Sequence, residues 1–232
     1  MLNITNATEI GQKKGTYLLY GIPGMGKTST FKYLPGMTLV LDIDRTSDVL
    51  RDCSGIDILK IDNVHTWDDW QNVILELYQN YRGKYDNICV DNISELERCI
   101  LSDLGSQGKN MGVPAQGDYQ KMQFRLVNSL RYMKNMDSNI ILTAWEMTDL
   151  YTDASGQQYN RSYPQINQKV LNNICGLCDV VGRLVVNKDG ERGYILSATN
   201  STYAKNQLDD RKGCLQAELI VGEGYAASGL SE

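Results

Sequence analysis

The sequence predicts an α/β fold in which a mainly parallel central sheet carries helices on both faces. Three observations lead to this prediction. Short apolar runs, typical of buried strands, alternate with segments of helical spacing, and polar or acidic residues follow several of the runs. Because the carboxyl ends of parallel strands meet at one edge of a sheet, we expect a ligand site at that edge.

The first strand, at residues 17–20, runs into the sequence GIPGMGKT at residues 21–28, which fits the phosphate-loop pattern GxxxxGK[ST]. Residues 29–34 can continue as a helix, so the motif lies in its required context. Its glycines permit backbone conformations that direct N–H groups around an anion, whereas the alternative is a chance glycine-rich turn. We predict that ATP binds here, with Lys27 at the β- and γ-phosphates and Thr28 as a Mg²⁺ ligand. The predicted nucleotide-binding residues are Gly21, Pro23, Gly24, Met25, Gly26, Lys27, Thr28 and Ser29.

Two later strands are predicted to end in acidic residues. Residues 38–44 form a buried strand with Asp42 and Asp44, which point the same way if the chain is extended there. The alternative for these two acids is a strand-end turn in solvent. Residues 86–91 form another strand, and its last residue, Asp91, is predicted to hold Mg²⁺ through water.

Helical spacing predicts helices over residues 66–81, 93–104, 118–136 and 165–175. Apolar runs predict a weaker strand at 56–61 and a buried strand at 139–143. Residues 105–117 and 148–164 lack periodicity and are predicted to be long irregular loops. Residues 180–186 and 192–197 are predicted to form a β-hairpin, followed by irregular chain. We therefore expect a lead-in at residues 1–15, one ATPase domain at 16–212 and a C-terminal extension at 213–232.

Composition narrows the class of protein. The 232 residues carry a net charge of −5, which argues against a surface coated with basic residues for indiscriminate nucleic-acid binding. The sequence contains no apolar run as long as a membrane span and no export signal, so we expect a cytoplasmic protein without a membrane partner. Six irregularly spaced cysteines agree with a reducing compartment. Cys175 and Cys178 form a single CxxC, for which a structural role is favoured over a zinc or redox site because the lone histidine, His65, is remote in sequence.

Two features argue against an AAA+ ATPase. Asn92 follows Asp91 where those proteins carry a catalytic Glu, and an all-helical lid is not evident after the core. The sequence instead resembles the RecA-like P-loop ATPases, and most closely the small phage-encoded members implicated in single-strand annealing and recombination. The resemblance covers about residues 16–212. It rests on residues 21–28, 39–44, 88–96 and 140–146, and more weakly on 204–207.

The resemblance implies roles around the nucleotide. It implies three catalytic residues, Lys27, Asp44 and Asp91. Asp44 is expected to be the general base, at a position where the family usually has Glu. The resemblance places a γ-phosphate sensor, usually Gln or His, in the segment that contains Thr143, Trp145 and Glu146. If subunits stack head to tail, Lys205 or Arg211 is expected to complete a neighbour's site in trans.

The resemblance also implies that the two irregular segments are DNA-binding loops. The expected DNA contacts, which combine phosphate binding with base stacking, are Lys109, Tyr151, Tyr159, Arg161 and Tyr163. The alternative is two mobile surface loops without a ligand.

The leading hypothesis is a Mg²⁺-dependent ATPase that binds single-stranded DNA and promotes annealing or strand exchange. We expect self-association into a ring or filament, and a single-strand-binding protein as a further partner. One alternative is an ATPase switch that loads or remodels a replicative helicase through protein contacts. A second is a small-molecule or nucleotide kinase, but the sequence shows no arginine-rich lid segment after residue 110. The third, a nucleotide-binding module without turnover, stays open because of Trp145 and the short Asp44 side chain.

Overall fold

The structure is a computed structural model, and it describes residues 6, 8 and 14–220 of the chain. The strands of the described residues are β1 (Thr16–Gly21), β2 (Thr38–Asp42), β3 (Ile56–Lys60), β4 (Asn87–Asp91), β5 (Asn139–Thr152), β6 (Gln158–Pro164), β7 (Val180–Val186), β8 (Arg192–Ile195), β9 (Lys205–Asn206) and β10 (Gly213–Leu215). The α-helices are α1 (Thr66–Asn80), α2 (Ile93–Gln107), α3 (Gln116–Met133) and α4 (Gln168–Leu177). Short 3₁₀ helices span Thr28–Tyr33, Ser47–Leu50 and Gln216–Glu218.

The strands form one sheet in the order β10-β8-β7-β1-β5-β4-β2-β3, with β6 paired to β5 and β9 paired to β7. The six strands from β7 to β3 are parallel, whereas β6, β8, β9 and β10 pair in antiparallel fashion. Strand β5 lies between β1 and β4. The phosphate loop follows β1, and Asp91 ends β4. The carboxyl end of β5 therefore lies between them.

Helices cover both faces of the sheet, as predicted. Because neighbouring side chains of a strand point to opposite faces, the parallel strands β1, β2, β4, β5 and β7 each contribute to two apolar cores, whereas the edge strand β3 is largely exposed. One core lies under the four α-helices and includes Leu18, Leu41, Val90, Leu142, Trp70, Ile100, Leu126 and Ile174. The other lies under the 3₁₀ helices and includes Leu19, Val40, Cys89, Ile141, Phe31, Leu50 and Leu219. The predicted α/β fold and the C-terminal hairpin of β7 and β8 are confirmed.

The two segments predicted as irregular loops are largely regular. Helix α2 continues to Gln107 and α3 begins at Gln116, so only residues 108–115 between them are irregular. Residues 148–164 are corrected to a β-hairpin, because β5 runs on to Thr152 and pairs with β6. The strands of this hairpin are rich in polar residues, and its tip is exposed. The segment therefore lacks the apolar residues from which a strand is predicted in a sequence.

The folded domain extends beyond residue 212. Strand β10 pairs with β8, and Leu219 is buried in the core under the 3₁₀ helices. The predicted boundary therefore moves to at least residue 220. Most of the predicted lead-in at residues 1–15, and residues 221–232 of the predicted extension, lie outside the described residues.

The structure also bears on whether the chain has a membrane-spanning helix or a cysteine or metal site. Within the described residues, no helix is both long and apolar enough to cross a membrane. All six cysteines are free, and Cys175 and Cys178 are buried at the end of α4. Burial raises the pKa of the Cys175 thiol to about 12. Residues 14–220 contain no group of three or more His, Cys, Asp or Glu side chains placed to hold a metal ion.

Candidate nucleotide-binding site

The phosphate loop connects β1 to the 3₁₀ helix Thr28–Tyr33 at the carboxyl edge of the sheet. Gly24 and Gly26 have φ angles of +82° and +94°, which residues with a Cβ rarely adopt. Gly21 instead ends β1, and a Cβ there would lie 3.1 Å from the Cβ of Leu184. The helix after the loop is a six-residue 3₁₀ helix, so the attraction for an anion comes mainly from the loop itself and Lys27.

Two residues from the C-terminal part of the domain hold the loop in place, Tyr194 in β8 and Gln216 directly after β10. The side-chain amide of Gln216 donates to the Gly26 carbonyl and to the Thr30 hydroxyl, both at 2.8 Å. The Tyr194 hydroxyl lies 2.6 Å from the same Thr30 hydroxyl. These residues are buried, so the bonds are shielded from water. The loop is thus fastened by chain that lies about 190 residues later in sequence.

Lys27 folds back over the loop. Its Nζ donates to the carbonyls of Gly21 at 2.9 Å and Ile22 at 3.2 Å, and the side chain is buried. Burial lowers the pKa of Lys27, against the attraction of Asp91, Asp44 and Glu146. Within residues 14–220, the Lys27 ammonium group forms no ion pair and has these carbonyls as hydrogen-bond acceptors. A bound phosphate would offer it stronger acceptors.

Asp91 is the centre of a group of hydroxyls. The Thr28 hydroxyl donates to Asp91 Oδ2 at 2.6 Å, and the Thr143 hydroxyl donates to Oδ1. The Thr46 hydroxyl lies 3.4 Å from Asp91 Oδ2 and 3.4 Å from the Thr28 hydroxyl. Asp91 is 2% exposed. The structure thus brings together the two residues that the sequence predicted as Mg²⁺ ligands.

Burial changes the acidity of this carboxylate. Desolvation raises the pKa of Asp91 to about 6, the nearby Asp44 and Asp42 add to the rise, and the bonds from Thr143 and Thr28 oppose it. No ion pair to Asp91 forms within the described part of the chain. A carboxylate and a hydroxyl are oxygen ligands of the kind that Mg²⁺ prefers, so the residues fit a Mg–nucleotide complex. Thr28 would hold the ion directly and Asp91 through water.

Asp42 and Asp44 have different surroundings. Asp42 is fully buried, and it accepts from the Ser47 hydroxyl at 2.5 Å and the Thr46 amide at 3.2 Å, so it closes the turn after β2. Asp44 lies beyond the end of the strand and accepts from the Thr46 hydroxyl at 2.7 Å and from the Asn92 amide at 2.5 Å. Asp44 is therefore the acid that adjoins the Thr28–Asp91 group, and its role as general base stays a prediction.

Of the three predicted sensor residues, the structure brings only Thr143 into contact with Asp91. The Trp145 ring lies under Arg98 of α2, 4.4 Å from its guanidinium carbon, and the Trp145 amide donates to Ser94 of the same helix. Glu146 accepts two bonds from the Arg183 guanidinium, at 2.7 and 3.0 Å. Its carboxylate is therefore already paired within the chain.

The two residues predicted to act in trans are engaged within their own chain. Lys205 donates to the carbonyls of Cys178 at 2.6 Å and Cys175 at 3.2 Å, at the C-terminal end of α4. Arg211 pairs with Asp209 at 2.7 Å and donates to the Glu218 carbonyl. A role at a neighbour's site would require these bonds to break, and it stays a prediction.

The predicted DNA contacts divide between two places. Lys109 is exposed between α2 and α3, whereas the other four belong to the β5–β6 hairpin. Tyr151 pairs directly opposite Tyr159, and Arg161 lies 4.4 Å over the Tyr151 ring. Tyr163 is 9% exposed and its hydroxyl has no partner within the described residues, so its predicted place on a surface loop is corrected to the base of the hairpin.

The sequence analysis missed residues that complete the site. Thr46 joins Asp44 to Thr28, and Arg183 neutralises Glu146. Asn92, read only as a departure from an Asp-Glu pair, accepts from the Glu95 amide at the start of α2 while its own amide orients Asp44. An Asn at a predicted helix start is a capping signal, whereas Thr46 and Arg183 carried no local signal.

A comparison with protein-family models agrees with this geometry. A model described as an AAA domain matches residues 13–208, most of the chain. No curated protein matches the sequence. The match supports a P-loop ATPase-type domain and corrects the argument against an AAA relationship, which rested on Asn92 and a missing lid. With a phosphate loop, an opposing acidic strand end and a family match across most of its length, the chain belongs to the AAA domain family of nucleotide-binding P-loop ATPases.

Proposed function

We propose that the chain hydrolyses ATP and binds single-stranded DNA on the β5–β6 hairpin, with strand β5 connecting the two sites. The observation that carries this proposal is the continuity of β5. The strand contains Thr143, which bonds to Asp91, and runs without interruption to Tyr151 on the hairpin. A change at the nucleotide site can therefore reach the hairpin through one strand.

The hairpin offers the groups that single-strand binding uses. Tyr151, Tyr159 and Arg161 share one face, because directly opposite residues of paired strands, and residues two apart, point the same way. Tyrosine rings can stack on bases of any sequence, and an arginine can bind phosphate. Asp149 and Asp153 outnumber Arg161, the one basic residue of positions 148–164, so the hairpin is slightly acidic. Together with the net charge of −5, this favours DNA binding that depends on bound nucleotide.

The nucleotide site supports hydrolysis through distinct roles of its residues. Lys27 would exchange its two loop carbonyls for phosphate oxygens and stabilise the charge that develops there. Bound Mg²⁺ would neutralise charge on the β- and γ-phosphates. Asp44, held by Thr46 and Asn92, would orient or deprotonate the attacking water. We expect this activity to serve in annealing or strand exchange. We expect it to act in the cytoplasm, in an assembly of subunits assisted by a single-strand-binding protein.

Steady-state ATP hydrolysis and DNA affinity test the proposal. We expect single-stranded DNA to stimulate turnover, Lys27→Ala to abolish it, and Asp44→Asn to reduce it at least tenfold. Tyr151→Ala with Tyr159→Ala should weaken DNA binding roughly tenfold or more while leaving DNA-free turnover unchanged, since each stacked base contributes about 1–3 kcal/mol. Phe124→Ala, which removes a 72% exposed aromatic ring from α3, is the matched control.

Two outcomes would contradict the proposal. DNA affinity that is the same with and without ATP would remove the coupling between the sites. Turnover that is indifferent to DNA would favour the second candidate, an ATPase switch that loads or remodels a helicase through protein contacts. That candidate is favoured by one observation, a groove of about 460 Å³ between α1 and α3 lined by Trp67, Leu75, Phe124 and Tyr132.

A further inference from the structure

Arg192, the first residue of β8, lies against the phosphate loop. A Cβ built on Gly26 would lie 3.2 Å from Arg192 Nε and 3.5 Å from its guanidinium carbon. Gly26 immediately precedes Lys27. The guanidinium is therefore close to the backbone that is expected to surround the phosphates.

Within residues 14–220, no carboxylate pairs with the guanidinium group of Arg192. It forms no ion pair and no hydrogen bond with residues 14–220, and it is exposed. Other arginines of this region are engaged, since Arg183 pairs with Glu146 and Arg211 with Asp209. The neighbouring Glu191 accepts from the Asn187 side chain in the β7–β8 turn, not from Arg192.

The strand that carries Arg192 is fixed to the loop. Strand β8 lies between β7 and β10, and Tyr194, two residues after Arg192, contacts the Thr30 hydroxyl at 2.6 Å. Gln216, which directly follows β10, donates to the Gly26 carbonyl. The backbone of Arg192 and the loop are thus held together, which keeps the Arg192 side chain beside the loop.

We propose that Arg192 binds the phosphates of the nucleotide from within the same subunit, as a second cation beside Lys27. The proposal rests on nucleotide binding at the loop. An arginine offers several donors in a planar fork, which suits phosphate oxygens. Because Arg192 adjoins Gly26 and makes no bond to Asp44, Thr46 or Asp91, it contributes to affinity for nucleoside di- and triphosphates alike and leaves the hydrolytic step to other residues.

Calorimetric titration of the full chain with Mg–ATP and Mg–ADP tests this role. Arg192→Ala is expected to weaken both affinities roughly tenfold, the effect of losing a charge-assisted hydrogen bond, with kcat at saturating ATP within twofold of native. Arg192→Gln, which keeps a polar side chain but is shorter and uncharged, should show a similar loss. Lys188→Ala removes the same charge from the exposed turn of the same hairpin and should bind as the native chain does.

The outcomes separate this inference from the proposed function. If the native chain binds neither nucleotide, both fail. If the native chain binds nucleotide and Lys27→Ala does not, while both Arg192 variants bind as tightly as native, only the role of Arg192 is overturned. A loss of kcat with unchanged affinity, or an equal loss in Lys188→Ala, would also overturn it.

Discussion

At the scale of single residues, the site is organised by one buried carboxylate. Asp91 receives hydroxyl bonds from Thr28 and Thr143, which come from the loop and from the neighbouring strand. Those bonds offset part of the cost of burying a charge, yet burial still raises the pKa of Asp91 to about 6. The carboxylate is therefore held in a position suited to a cation at the expense of stability.

The stability of the nucleotide-free chain should consequently depend on pH through Asp91. Its pKa is about 6 when folded and about 3.9 when unfolded, so the native state binds more protons between these values. Stability from this group therefore falls as pH rises, with a loss on the order of 1 kcal/mol between pH 5 and pH 8. Asp91→Asn, which cannot ionise, should lose correspondingly less over the same interval.

Urea unfolding at pH 5 and pH 8, in a chelator and without nucleotide, measures the difference between the two chains. Equal pH dependence in the native chain and in Asp91→Asn would show that this carboxylate is not destabilised by its surroundings. Asp42→Asn is a useful comparison, because Asp42 is also buried but accepts from Ser47 and from the Thr46 backbone in the turn.

At the scale of elements, Lys205 joins the C-terminal end of α4 to strand β9. Its ammonium group donates to carbonyls that the last turn of the helix leaves without intrahelical partners. We expect Lys205→Met to destabilise the chain by about 1 kcal/mol, measured by urea unfolding. Lys212→Met removes the same charge from an exposed position nearby and should have a smaller effect.

A mixing experiment separates this capping role from the predicted role in trans. Chains with Lys27→Ala cannot use their own site but retain Lys205. If Lys205 serves a neighbour, mixing them with Lys205→Met chains should restore hydrolysis that neither variant shows alone. Loss of stability without such restoration would leave Lys205 with its capping role alone, whereas a Lys205→Met chain as stable as the Lys212→Met chain would contradict capping.

At the scale of the whole molecule, the C-terminal strands complete the nucleotide site. Residues 213–220 supply β10, the buried Cys214 and Leu219, and Gln216, which fastens Gly26 and Thr30. A chain that ends at residue 212 should therefore be less stable than one that ends at residue 220 by several kcal/mol, since each buried side chain of this size contributes about 1.5–3 kcal/mol. It should also bind nucleotide more weakly.

Thermal unfolding and nucleotide titration of the two shortened chains test this prediction. Gln216→Ala in the longer chain isolates the effect on the loop, because it removes two hydrogen bonds and leaves the apolar core unchanged. Equal stability and equal affinity of the chains ending at 212 and 220 would place the true boundary at residue 212.

The sequence by itself determined the features that depend on local patterns. Apolar runs identified the parallel strands, and the loop glycines with Lys27 and Thr28 identified the phosphate site. Both signals come from residues that are close together in the sequence, because strand burial requires a run of apolar residues and left-handed φ angles favour glycine. The tertiary structure decided the rest. The insertion of β5 between β1 and β4 brings Thr143 to Asp91, and Gln216 reaches Gly26 from the end of the domain. Such contacts join residues that are distant in sequence, so only the packing of the strands against one another specifies them.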